Sequence, residues 1–401
     1  MLQIQTEKSL IPEASLSHEI VANTWSELSA RPDLGFLELP KNASEWETCQ
    51  RIARDIRSRF SSLIVIGIGG SSLGAECLIK SLAPTGRQDV LFIDNYDLDE
   101  INLKLSGVDL TKTAFYVVSK SGNSLFTLSL TDFLIGRLTA LNVDWRKCFW
   151  TCSEGKQSPL SDWAKANRLP LLEVPINVGG RFSVFTASGL LPMAFAGCDL
   201  TGLREGANRA LANTQTVISA AQFYFSCFQQ NQSISYIWFY SSMLRGFSPW
   251  LIQLWAESLG KIGSKAGVPV CGLGTIDQHS MLQQISEGEY PRNITLFHVS
   301  SLENAESGPI GHSQFKPFAY WENTSLGKIM KAEFEGTQTA LVERKIPVLT
   351  LVMRDQKAQD LGELVVFFEC LVALLATLLK VNAFDQPGVE RSKRITQQIL
   401  R

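Results

Sequence analysis

Apolar residues in this chain fall in short continuous runs, each closed by a cluster of small or polar residues. Leu63–Ile68, Val90–Ile93, Ala114–Val118 and Cys148–Thr151 read as strands of this kind. Between them lie helix-length segments such as Leu73–Leu82 and Leu125–Leu141. A strand that is hydrophobic throughout has both faces covered, which points to a parallel sheet between helices. The pattern restarts with Ile234–Tyr240, Val268–Leu273, Ile294–Val299 and Val348–Val352, accompanied by helical segments including Pro249–Leu259 and Leu361–Leu379.

The expectation is therefore an α/β chain of two successive three-layer units. Residues 1–58 read as a helical lead-in, with Trp25, Leu28, Trp46 and Ile52 as apolar positions in otherwise charged segments. Residues 59–205 and 206–380 form the two units, and 381–401 a C-terminal segment. The junction falls near residues 198–215, where no repeat, low-complexity tract or Pro-rich linker marks it.

Composition narrows the class. The chain has 401 residues, 45% hydrophobic and 19% charged, which suits a globular protein of two cores. A formal net charge of −2 argues against nucleic acid or an anionic membrane as the main partner, so any anion must be held by a local site. The eight cysteines are scattered without a C-x-x-C pair or zinc-like spacing, so they read as buried core residues of a reducing compartment. No signal peptide is evident at the start. Leu361–Leu379, interrupted by Glu363 and Glu369, reads as a core helix and not a membrane span. The expected location is the cytoplasm.

Six polar clusters carry the chemistry. In Gln253-Leu254-Trp255-Ala256-Glu257, an amide and a carboxylate stand four apart on one face of an apolar helix. Apolar surroundings there would raise the carboxyl pKa and suit Glu257 to proton transfer near neutral pH. Gly67-Ile68-Gly69-Gly70-Ser71-Ser72-Leu73-Gly74 follows a strand and opens a helix, as an anion-binding turn does. A dinucleotide fingerprint needs Gly where Ser72 stands, although Asp94 does end the next strand. Ser71 and Ser72 suggest hydroxyl contacts to a sugar or a phosphate.

Ser119-Lys120-Ser121-Gly122-Asn123-Ser124 also ends a strand and enters a helix. It reads either as a helix cap or as a phosphate cradle, and one cap needs one such residue, not four in six. Gly179-Gly180-Arg181 reads as a turn with a surface arginine or as the delivery of a guanidinium to a buried pocket. His279, one of four histidines, sits in a polar loop entering a helix, structural or proton-transferring. Phe384-Asp385-Gln386-Pro387-Gly388-Val389-Glu390, with Lys393 beyond, reads as a Pro-Gly turn among solvated charges.

Taken together, G-I-G-G-S-x-L-G, S-K-S-G, V-G-G-R-F-S, E-S-x-G-K, G-T-x-x-Q-H and F-D-Q-P-G-V-E resemble, in content and order from about residue 63 to 393, the glucose-6-phosphate isomerase family in a compact bacterial form. The resemblance implies two sugar-isomerase (SIS) domains, each a parallel sheet flanked by helices, usually assembled as a homodimer. It implies Glu257 as the base moving a proton between C1 and C2 through a cis-enediol, with Arg181 stabilising that intermediate. His279, reaching the site from the partner subunit, and Lys393 correspond to the pair that opens the pyranose ring. Ser119, Lys120, Ser121 and Ser124 correspond to the phosphate loop, and Gly70, Ser71, Gln253 and Gln386 to further substrate contacts. No metal or organic cofactor is implied.

Asn123 and Ser124 stand where the family usually has paired threonines, and Phe126 where many members carry an acidic residue. Arg391-Ser392 precede Lys393 where Leu-Gly or an aromatic is common. A dual-specificity phosphoglucose/phosphomannose isomerase and a non-catalytic SIS sugar-phosphate sensor are the alternatives; a sensor has no need of Glu257, Arg181, His279 and Lys393 together.

Overall fold

The computed structural model describes residues 2–82, 89–304 and 308–401. Its strands are β1 (Gln3–Ile4), β2 (Ser62–Ile66), β3 (Val90–Ile93), β4 (Thr113–Val118), β5 (Phe149–Glu154), β6 (Leu171–Val174), β7 (Ile234–Phe239), β8 (Pro269–Leu273), β9 (Arg292–Val299) and β10 (Val348–Met353). They form two five-stranded sheets, ordered β3-β2-β4-β5-β6 and β1-β10-β9-β7-β8. Every pairing is parallel except β1 with β10. The continuous apolar runs are the reason: all six residues of β4 are buried, and Ile64 in β2 stands between Leu91 and Phe115. Helices cover both sheets, so the expected α/β architecture is the observed one.

Two strands escaped the apolar pattern. β6 is an edge strand of four residues of which only Val174 is buried. β1 is two residues long and exists only through its antiparallel pairing, Gln3 opposite Val352. The first 58 residues are shared between the halves. β1 joins the second sheet, and the helix His18–Ser29 packs on Gln215–Gln229 and Ala358–Leu378. The helix Ala43–Arg59 packs instead on Ala187–Phe195 beside the first sheet.

The helix Ala358–Leu378 is long and apolar enough to cross a membrane, yet 89% of its apolar window is buried inside the protein. It packs against Leu200–Ala212, Gln215–Gln229 and Phe247–Leu259. Its two glutamates are accommodated differently. Glu363 accepts from the Leu2 N–H at 3.0 Å and from Arg209 Nε at 2.8 Å. Glu369 is 1% exposed, and burial holds its carboxyl well above the ordinary range, which keeps it neutral. The eight cysteines are free, and all but the half-buried Cys271 are buried, as expected of core residues.

In the first sheet β2 leads to β3 on one side, while β4 leads to β5 on the other. The carboxyl ends of β2 and β4 therefore flank a topological switch point, where an open α/β sheet leaves a crevice for ligands. Both serine-rich loops start there.

Candidate active site

After β2 the chain makes a tight turn, Gly69–Ser71, before the helix Leu73–Leu82. Gly70 lies against the Arg181 turn so closely that a Cβ there would sit 2.2 Å from the Gly180 carbonyl oxygen. Ser183 Oγ bridges the two turns, donating to the carbonyls of Gly180 (2.6 Å) and Gly70 (3.3 Å). Ser71 faces the crevice. Ser72 does not: it is 1% exposed and its hydroxyl donates back to the Gly69 carbonyl, so it offers no contact to a sugar or a phosphate, contrary to the expectation.

After β4, the Gly122 N–H donates to the Ser119 carbonyl at 3.0 Å and closes a turn. Ser124 Oγ accepts from the Thr127 N–H at 3.4 Å and caps the helix Leu125–Ala140. The capping reading thus holds for Ser124, while Ser119, Lys120 and Ser121 also line the crevice beside that helix N-terminus. Lys120 Nζ lies 4.0 Å from Glu154 Oε2; burial pushes its ammonium below the usual lysine range, and Glu154 opposes this.

The facing wall comes from the helix Phe247–Leu259, where Gln253 and Glu257 lie one turn apart with Gln253 Nε2 donating to Glu257 Oε1 at 3.4 Å. The apolar surroundings expected for Glu257 are not what the fold supplies. Its carboxylate pairs with Arg181 Nη1 at 3.2 Å, because the Gly180–Phe182 turn carries that guanidinium inward from the first unit. Arg181 is 4% exposed and also donates from Nε to Ser258 Oγ (2.7 Å), from Nη1 to Gln386 Oε1 (3.2 Å), and from Nη2 to the carbonyls of Ala383 and Asp385. Burial pushes its guanidinium below the ordinary arginine value, and Glu257 and Asp385 oppose the shift. An arginine remains charged under such a shift.

The C-terminal segment closes the site. Gln386 is held against Arg181, and the helix Glu390–Ile399 presents Glu390, Lys393, Arg394 and Gln397 at the i, i+3, i+4 and i+7 spacing of one helical face. Lys393 Nζ pairs with Glu390 Oε1 at 2.7 Å.

Between these walls lies one cavity of about 920 Å³. It gathers Gly70, Ser71, Ser119, Lys120, Ser121, Ser124, Arg181, Gln253, Glu257, Gln386 and Lys393. His279 is not among them. It is exposed at the end of the turn Ile276–His279 that follows β8. Asp94, which a dinucleotide reading requires, does not line the cavity either. Tyr96, Phe126, Glu154, Glu390 and Arg394 belong to the lining without having been singled out as site residues. Phe126 meets the Tyr96 ring edge-on, centroids 4.8 Å apart, so the departure at this position builds an aromatic wall. Lys120, Arg181, Lys393 and Arg394 face Glu154, Glu257 and Glu390, which leaves the cavity one positive charge in excess.

Fold and site define a class: a twin-sheet α/β protein whose hydroxyl-lined loop faces a carboxylate–guanidinium pair across one crevice. The family model described as phosphoglucose isomerase matches residues 51–401. The chain belongs to the phosphoglucose isomerase family. It is 34% identical over 350 residues to a probable glucose-6-phosphate isomerase of Haloquadratum walsbyi, covering 85% of this chain and 79% of that one. It is 32% identical to the glucose-6-phosphate isomerase of Thermus thermophilus, covering 92% and 90%. Among solved structures, a hypothetical protein from Thermus thermophilus superposes with a TM-score of 0.90 over 100% of both chains at 29% identity. The fold is shared with a glucose-6-phosphate isomerase from Chlamydia trachomatis, at a TM-score of 0.77 and 22% identity over 89% of this chain and 73% of that one.

Proposed function

We propose that this protein interconverts glucose 6-phosphate and fructose 6-phosphate, an aldose–ketose isomerase step of glycolysis and gluconeogenesis. The observation that carries the reading is the Arg181–Glu257 pair at 3.2 Å, facing the Ser119–Ser124 loop across one cavity. The phosphate sits on that loop, where three serine hydroxyls and the N–H groups opening the helix Leu125–Ala140 meet a dianion. This leaves the sugar carbons toward Glu257, with Ser71, Gln253 and Gln386 as hydroxyl contacts.

Glu257 takes the proton from C2 of the open-chain aldose and returns it to C1, and the reverse for the ketose. The intermediate is a cis-enediol whose developing negative charge lies in the field of the Arg181 guanidinium. Lys393 and His279 of the partner subunit open the pyranose ring. The reading thus makes the protein a homodimer, and the exposure of His279 on a loop away from its own cavity supports it. Eight free cysteines support a cytoplasmic location.

The test is isomerisation of fructose 6-phosphate by the wild-type protein and by Glu257→Gln. The wild type turns over, and the variant loses about a hundredfold or more in kcat. An inactive wild-type protein overturns the enzyme reading; a variant near wild-type kcat overturns the role of Glu257. Mannose 6-phosphate, assayed alongside, separates a dual-specificity enzyme from one confined to glucose and fructose 6-phosphates.

A further inference from the structure

Lys261 ends the E-S-x-G-K segment and does not line the cavity, yet its side chain is only 11% exposed. Its ammonium makes two contacts of consequence. Nζ donates to the backbone carbonyl of Glu257, and to that of Asp385 at 2.9 Å. It also lies 3.5 Å from the Asp385 carboxylate.

The first contact answers a need of the helix Phe247–Leu259. Its last turn leaves carbonyls without intrahelical donors, and the Glu257 carbonyl is one of them. The second contact lands on an acceptor already in use, since Arg181 Nη2 donates to the same Asp385 carbonyl at 2.9 Å. A carbonyl oxygen has two lone pairs, and here each cation takes one. Asp385 is followed directly by Gln386, whose amide oxygen is held by Arg181 Nη1. The strap from Ala383 to Gln386 is therefore pinned by Arg181 on one side and Lys261 on the other, with the Phe384 ring packed 5.1 Å from Phe182. Burial and the nearby Arg181 push the Lys261 ammonium below the usual lysine range, while Asp385 and Glu257 hold it charged.

We propose that Lys261 is a positioning residue, one that ties the backbone of Glu257 to the Asp385–Gln386 strap and so holds Glu257, Arg181 and Gln386 in one register. Lys261 touches no reacting atom. The inference rests on the isomerase reading above. Its effect falls on the chemical step, because a small displacement of a base or of a charge-stabilising group slows turnover steeply. Ground-state affinity depends on the Ser119–Ser124 loop, which Lys261 does not touch.

The experiment compares wild type, Lys261→Met, Lys261→Arg and Glu257→Gln in steady-state isomerisation, thermal unfolding and calorimetric titration with inorganic phosphate. Lys261→Met lowers kcat by about tenfold or more, with KM changed by less than about threefold and phosphate affinity unaltered. Lys261→Arg, which restores a buried donor and charge, returns kcat to within a few-fold of wild type. Where Lys261→Met does not fold, Lys261→Gln takes its place and shows the same loss confined to kcat. A wild-type kcat in Lys261→Met, a KM rising as much as kcat falls, or a deficit that arginine does not relieve overturns the inference. Turnover lost in Glu257→Gln but kept in Lys261→Met removes the Lys261 role alone; turnover kept in both removes the base reading with it.

Discussion

Arg181 Nη1 donates to Glu257 Oε2 and to Gln386 Oε1, each at 3.2 Å, so one nitrogen joins a turn of the first unit, a helix of the second and the C-terminal strap. With Ser258 and the carbonyls of Ala383 and Asp385, five acceptors surround the guanidinium. A guanidinium has five N–H donors, so the protein alone occupies all of them. Its charge is thus fixed in place before substrate arrives. In the proposed reaction, stabilisation of an enediolate would come from this preset field, with little reorganisation during the reaction.

That arrangement makes arginine irreplaceable by lysine at position 181. Lys keeps the charge but has three donors and no fork, so at least two acceptors around it lose their partner. Arg181→Lys is expected to lower unfolding stability by about 2 kcal/mol, read in urea, and kcat by about a hundredfold. A variant matching wild type on both would show that the guanidinium geometry is incidental.

Two adjacent motif glycines give opposite predictions. A Cβ on Gly70 falls 2.2 Å from a backbone oxygen that cannot swing away, whereas nothing lies within 4 Å of a Cβ on Gly180. Gly70→Ala must therefore part the two turns, costing about 1–3 kcal/mol of stability and displacing Ser71 and Arg181 together. Gly180→Ala is expected within about 0.5 kcal/mol of wild type, with activity kept. Thermal melts and fructose 6-phosphate turnover of the two variants check the contrast.

Much of this site was legible because its loops begin where apolar runs end. Ser119–Ser124 and Gly67–Gly74 could be placed at strand ends without knowing which strands were neighbours. What local sequence could not express was company across the chain. Arg181 and Glu257 are separated by 76 positions, and the apolar stripe around Glu257 concealed that an arginine would arrive there. Lys261 stood in a recognised motif, but its role depends on the Asp385 carbonyl, 124 positions away. β6 was missed for another reason: an edge strand with one buried residue has no apolar run to announce it. In the C-terminal segment the residues read as a Pro-Gly turn among solvated charges, and only the resemblance pointed to Gln386 and Lys393; the helix that brings Glu390, Arg394 and Gln397 to the same cavity had no apolar face of its own to announce it.

Glu369 makes stability depend on pH in a defined direction. Burial raises its folded-state pKa well above the ordinary 4.5. Below that value the carboxyl is neutral in both states and imposes no penalty. As pH rises toward the folded value the unfolded chain ionises and the folded one does not, so stability is lost. Glu369→Gln cannot ionise and escapes this loss. Its stability relative to wild type should rise from about pH 4.5 upward by roughly 1.4 kcal/mol per unit, until the folded carboxyl itself titrates. Urea midpoints from pH 4 to 8 test this, and a difference that does not grow with pH would remove the buried neutral carboxyl from the account.

The proposed sharing of the site between subunits predicts complementation between inactive variants. If each cavity uses its own Glu257 and His279 of the partner subunit, Glu257→Gln and His279→Ala dimers are both inactive in both sites. In a mixed dimer, the site in the His279→Ala subunit has an intact Glu257 and receives an intact histidine from its partner. The opposite site has neither. Half of the dimers in an equal, freely exchanging mixture are mixed, and each carries one working site, so activity should return to roughly a quarter of wild type. The measurement is fructose 6-phosphate turnover after denaturing and refolding the two variants together, against each refolded alone. If both residues act within one subunit, the mixture stays as inactive as its components, because no exchange can bring an intact pair together.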